Sequence, residues 1–270
     1  MKILEDIIDY VGIDPSLKKI LKGLVDIPYI TDSYKVYSER SFYYPPMLVP
    51  LFVDYSWPYI LGFIVHPFSK ERTLTYIGYD LEENKFLEKA RTLNQLYTLM
   101  ILEMDMITES ITPEILEFCS KIGYTNCGRV DLFAEEFGDI PSNFNKLPYF
   151  NKNTPLSYVD SLDVYDGNFV SSEKFLNIDM LYNSSSYEIY REEWLNKIEV
   201  PNWLNTSVNK ETLAEKYISE RDFNSAWFTI NNEELTSHQV ERYLKQIISL
   251  NQDNELLKLM ANHWFENSKI

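Results

Sequence analysis

Glycine is scarce in this chain, with 8 residues in 270. That scarcity excludes a Gly-rich phosphate-cradling loop and a turn-dense all-β barrel. Cysteine is scarcer still. Cys119 and Cys127 cannot build a disulfide framework and neither belongs to a CxxC pair, so two reduced, partly buried thiols are expected. The three histidines, His66, His238 and His263, lie far apart, and none sits in an HExxH motif or at ligand spacing from a cysteine. No metal or cofactor is therefore expected. Ser184-Ser185-Ser186 lacks the flanking glycines and the strand-to-helix elbow of a nucleophile. No apolar run approaches the ~20 residues of a membrane span. Three acids among the first nine residues break any signal-peptide core, so no membrane association and a cytoplasmic location are expected. A catalytic signature is absent throughout.

Basic charge is also in deficit: 25 Lys and Arg face 41 Asp and Glu, a net of −16. Residues 1–100 are nearly balanced at −2, residues 101–200 hold 7 basic and 18 acidic side chains, and residues 201–270 carry −3. A field of this sign repels nucleic-acid backbones and anionic membranes and attracts basic partners. Direct nucleic-acid binding is excluded on the same ground, since the aromatics are interleaved with acids where strand binding needs Lys or Arg. The densest acidic rows are Asp131, Glu135, Glu136 and Asp139, and then Glu188, Glu192, Glu193 and Glu199. Asp131, Glu135, Glu136, Asp139, Glu188, Glu192 and Glu193 are the candidate partner-binding residues. Such rows solvate a surface, steer a basic partner, or imitate the phosphates of a nucleic acid.

What the chain has in abundance is aromatic and β-branched residues, including 20 Tyr and 15 Phe. From Met47 to Leu81 the runs MLVPLFVDY, YILGFIVHP and TLTYIGYDL are split by SWP and FSKER, the punctuation of an antiparallel meander. Phe86, Ala90, Leu93, Tyr97, Met100, Ile101 and Met104 then recur at helical spacing and predict a backing helix over 84–104. Ile3, Leu4, Ile7, Ile8 and Val11 mark a first helix, Asp14-Pro15 caps a second, and Thr112-Pro113 opens another that Gly123 closes. AWFTI (226–230) reads as a short strand. Thr236 begins a capping box before VERYLKQIISL, and NELLKLMANHWF is a last helix. The fold class expected is α+β: a meander at 47–81 backed by amphipathic helices, with a mixed, largely helical C-terminal part. The Pro/Asn/Ser-rich stretch after Phe137 suggests residues 1–138 as an α+β domain, 139–162 as a linker, and 163–270 as a second domain or extension.

A helical N-terminus, a Pro-led strand (Val49-Pro50-Leu51-Phe52), Gly62 inside the second strand, an aromatic third strand and a backing helix resemble, in that order, the SUKH superfamily of bacterial immunity proteins. The resemblance covers about residues 1–105. It implies an acidic, cytosolic α+β protein that binds and neutralises a toxin, often a nuclease. Joined to the acidic middle segment, it leads to the expectation of an immunity protein that occludes a basic toxin or nuclease. The runner-up is a hydrolase or transferase with a site assembled from distant carboxylates and histidines, and a purely structural subunit comes third.

Overall fold

The structure, a computed structural model, describes residues 2–37, 42–54, 59–69, 74–82, 85–159, 165, 202, 203, 205, 207–231 and 234–268. It is an α+β fold built around one five-stranded antiparallel meander, β1 (Lys35–Val36), β2 (Leu48–Asp54), β3 (Tyr59–Ile64), β4 (Thr75–Asp80) and β5 (Lys85–Ala90), in sequence order across the sheet. Two irregularities set its shape. The β2–β3 register slips between Pro50 and Phe52, and the β4–β5 register slips so that Lys89 has no partner across the ladder. A bulge of this kind adds twist and re-aims the side chain it frees.

Helices α1 (Lys2–Tyr10) and α2 (Pro15–Leu21) precede the sheet. Asp14 caps α2 by accepting from the Ser16 amide at 2.8 Å, and Pro15 takes the first position, where no amide is needed. The backing helix differs from its sequence expectation. Residues 85–90 are the fifth strand, and α3 runs Leu93–Thr108. Phe86, Glu88 and Ala90 are buried while Leu87 and Lys89 are half-buried, a period of two that the Phe86/Ala90 spacing also fits. Thr92 and Gln95 form a capping box that fixes where the helix starts.

Helices α4 (Pro113–Ile122) and α5 (Cys127–Phe137) follow, separated by Gly123 at φ 74°. That left-handed residue turns the chain back and brings Cys127 against Cys119. The two cysteines form a disulfide, which corrects the expectation of two reduced thiols. Sequence spacing could not reveal it, because the approach depends on how the two helices meet.

The Pro/Asn-rich stretch is anchored through residue 159. Two 3-10 turns, Pro141–Lys146 and Leu156–Tyr158, bury Phe144, Leu147, Phe150 and Leu156. Glu88 on β5 grips the second turn, accepting from the Leu156 amide at 2.7 Å, the Tyr165 hydroxyl at 3.0 Å and the Thr75 hydroxyl at 3.0 Å.

The C-terminal part holds helices α6 (Lys210–Glu220), α7 (Phe223–Ile230), α8 (Ser237–Leu250) and α9 (Glu255–Asn267). AWFTI lies in α7 and is not a strand. Ser225–Ile230 are all buried, so no polar face betrays the helical period, and Asp222 caps the helix from outside the apolar run. These helices close on the meander. Asn231 accepts from the Met47 amide at 2.6 Å, and Trp264 donates to the Tyr44 carbonyl at 2.8 Å. Buried residues from α1 to α9 form one connected hydrophobic core. Among the described residues, no helix is long and apolar enough to cross a membrane.

Candidate functional site

Two cavities of functional size open on the described surface. The larger, about 630 Å³, lies between the end of β3 and the α8–α9 turn. Its wall is stitched by the Asn254 amide group donating to the Pro67 carbonyl at 3.0 Å, and its one histidine, His66, rests on the Phe228 ring at 5.2 Å. The second, about 520 Å³, lies between the sheet, α3 and the first 3-10 turn. It gathers Tyr34, Asp54, Tyr59, Lys89, Glu103, Asp139 and Tyr158 around an apolar trough of Leu96, Leu99, Leu102, Met106 and Phe144. Convergent ionisable groups on an apolar floor make it the candidate site.

Its geometry follows from the sheet. Asp54 and Tyr59 are register partners at the β2–β3 end, so both project onto the face that α3 covers. The Tyr59 ring lies flat over Gly78, where a Cβ would collide with the phenol. Gly78 is therefore required for space and not for a turn. The phenol oxygen of Tyr59 is buried without a hydrogen-bond partner among the described residues. Lys89, the bulge residue, brings its ammonium to 5.6 Å from the Tyr59 ring centroid. Tyr34 donates to Glu103 at 2.9 Å from the opposite side.

Burial perturbs Glu103, Lys89, Tyr34 and Tyr59 here. The Glu103 carboxyl is raised above the usual carboxylate range, first by desolvation, with Asp54 adding to it and the Tyr34 and Ser33 hydroxyls and Lys89 opposing. The Lys89 amine is lowered by desolvation, partly offset by Glu103. Tyr59 and Tyr34 are pushed well above the ordinary phenol value, again mainly by burial. A carboxyl raised and an amine lowered by burial, both lining one cleft, mark it as the candidate site.

The acids singled out by sequence divide three ways. Asp139 lies on the rim of this cleft, beside the exposed side chains of Met106 and Ile107. Glu135 and Glu136 are exposed on α5, while Asp131 turns half inward and accepts from the Ile111 amide at 3.3 Å. Glu188, Glu192 and Glu193 lie outside the described residues. Asp131 also faces Asp105 on α3, a buried carboxyl raised to about 6 by desolvation, by the Asp131 charge with a hydrogen bond that only its protonated form makes, and by Glu135. The four described acids therefore do not make a single row.

Sequence reasoning missed Tyr34, Tyr59, Lys89 and Glu103. Lys89 gave no local signal, since it stands among Lys85, Glu88 and Arg91 in the sequence. The histidines do not converge: His238 is exposed, and His263 is buried and lowered to about 4 by desolvation. Among the described residues no group of three or more His, Cys, Asp or Glu could hold a metal. No protein-family model matches the chain, and comparison with curated proteins and with solved structures finds no match either.

Proposed function

We propose that this chain is an acidic binding protein of the immunity type, which neutralises a basic toxin or nuclease by covering it. The observation that supports this reading most directly is the rim of the 520 Å³ cleft, where Asp139 stands beside exposed Met106 and Ile107. Apolar anchors set among acids are the composition of an interface core and its steering rim. Exposed Leu132 and Ile140 continue that mixture along α5 and just beyond it, near Glu135 and Glu136. The SUKH resemblance of residues 1–105 motivates the immunity type, and the reading places the protein in the cytoplasm. There the Cys119–Cys127 bond would meet a reducing environment, so binding is not expected to depend on it.

Affinity capture from the native cell, followed by association kinetics at two salt concentrations, tests the reading. A stoichiometric basic protein whose on-rate falls as salt rises supports it. Capture of no basic protein, or an on-rate indifferent to salt, sinks it.

One observation favours a second reading. The raised Glu103 and lowered Lys89 share a cleft with three tyrosines, as an acid–base pair in a hydrolase or transferase would. A small molecule that copurifies and is turned over by wild type, but not by Glu103→Gln, would replace the binding function with an enzymatic one.

A further inference from the structure

Glu103 and Asp139 line the cleft, and among the described lining residues Lys89 is the cation. Lys89 approaches a ring face, and among the described residues its ammonium makes no ion pair. Glu103 accepts from Tyr34 and Ser33, which leaves carboxylate lone pairs open toward the trough. Tyr59 adds a buried phenol oxygen with no partner among the described residues. The vacant chemistry is thus acceptors at one end, aromatic faces on the sides and an aliphatic floor.

We propose that this cleft seats an arginine side chain of the basic partner, with its guanidinium on Glu103 and its aliphatic stem along Leu99 and Met106. The inference rests on the binding-protein reading for its source of arginine, but the site itself stands on the cleft. A guanidinium is planar, more weakly hydrated than an ammonium, stacks on aromatic faces and offers donors in a fork that matches a carboxylate. Two of its N–H groups satisfy Glu103. An opposite charge brought next to Glu103 favours its ionised form and so opposes the effect of desolvation. Lys89 then acts as a gatekeeper, because its charge opposes the newcomer. A lysine side chain fits less well, since its compact, strongly hydrated head cannot fork or stack. Exposed Asp139 at the rim contributes attraction at longer range.

The probe is N-acetylarginine amide, titrated into the full-length protein and followed through the methyl resonances of Leu99 and Met106. The expected result is saturable binding in the millimolar range, with the uncharged citrulline counterpart at least about tenfold weaker. Glu103→Gln, which keeps an acceptor for Tyr34, should weaken the arginine probe by about tenfold. Lys89→Met should tighten it severalfold, an outcome that general damage to the fold cannot produce. Asp139→Asn, at an exposed position that cannot unfold the protein, should weaken it modestly. Equal shifts with citrulline overturn the proposal. So does an unchanged affinity in Glu103→Gln with its melting temperature retained, or weaker binding in Lys89→Met. Failure here separates cleanly from failure of the wider reading. If a basic protein partner is captured but ignores Glu103→Gln and Lys89→Met, the arginine site falls and the binding function stands. If the arginine probe binds but no basic partner is captured, the site stands and the immunity reading falls.

Discussion

Glu103 and Asp105 lie two residues apart on α3, about 200° around the helix, and both carboxyls are raised by burial. Glu103 faces the open cleft, with the Tyr34 hydroxyl as donor and Lys89 as the nearest cation. Asp105 faces α5, where its neighbour is a second carboxyl, Asp131, and its Oδ1 is buried without a hydrogen-bond partner among the described residues. Glu88 completes the comparison as a fully buried carboxyl gripped by three donors. Desolvation raises all three, so the direction of a pKa does not separate their roles. What separates them is the company each keeps: donors make Glu88 a structural clamp, an open trough makes Glu103 a binding group, and a like charge makes Asp105 a weak point.

The sharpest way to break this comparison is Glu88→Ala. Removing the acceptor strands the buried Leu156 amide and takes one hydrogen bond each from the Tyr165 and Thr75 hydroxyls, at a cost of about 3–5 kcal/mol. Glu88→Gln keeps an acceptor and should cost far less. Equal urea midpoints for Glu88→Ala and wild type would show that the second 3-10 turn does not depend on this residue.

Next in size is the Cys119–Cys127 bond, which closes a short loop with a sequence separation of 8. Replacing both cysteines with Ser should lower stability under oxidising conditions by roughly 2–3 kcal/mol on loop-entropy grounds and leave partner binding intact. A folded double variant that no longer binds would give the pair a functional role.

Asp105→Asn should have the opposite sign. Its carboxyl titrates at about 6 in the folded protein against an ordinary 3.8, so the folded state holds that proton more tightly. Stability from this group is therefore full below about pH 4, lost as pH rises through about 6, and absent at neutrality. Asn removes the repulsion with Asp131. It should stabilise the protein by about 1–2 kcal/mol at pH 7.5, allowing for screening near exposed Glu135, and by almost nothing at pH 3.5. Buried His263, lowered to about 4, slopes the other way between pH 6.5 and 4, so the difference between variant and wild type is the quantity to measure. A melting-temperature gain that does not vary with pH would mean Asp105 is neutral throughout.

The smallest effect expected is kinetic. Reversing Glu135 with Glu136 to Lys should slow association severalfold at low salt and leave dissociation nearly unchanged, because rim charges act on encounter. The same double reversal in residues 1–100 should do less. An off-rate that moves more than the on-rate would place these glutamates inside the contact.

Much of the fold was legible because local chemistry announces it. Asp14-Pro15, Thr112-Pro113 and Thr236 mark helix starts that the structure places at the same positions, and the three Val/Ile/Tyr/Phe runs became β2, β3 and β4. Legibility failed where two periods coincide, as at Phe86–Ala90, and where a helix is buried on every side, as at Ser225–Ile230. The candidate site was hardly legible at all. Tyr34, Tyr59, Lys89 and Glu103 converge only through strand register, a bulge and the bare surface of Gly78, and none of these leaves a local motif. Asp139 was found for its charge, which says nothing of the cleft beside it.

The clamp between Asn231 and the Met47 amide also bears on how the chain is made. The partners are 184 residues apart, and the Trp264 bond to the Tyr44 carbonyl spans 220. At a synthesis rate of about 5–20 residues per second, roughly 10–40 s pass between the emergence of Met47 and of Asn231. Through that interval the start of β2 leaves the ribosome without the helices that later cover it. A nascent chain in this state presents strand edges and tyrosine-rich apolar surface to its neighbours, so its exposure to aggregation is greatest before the C-terminal helices emerge.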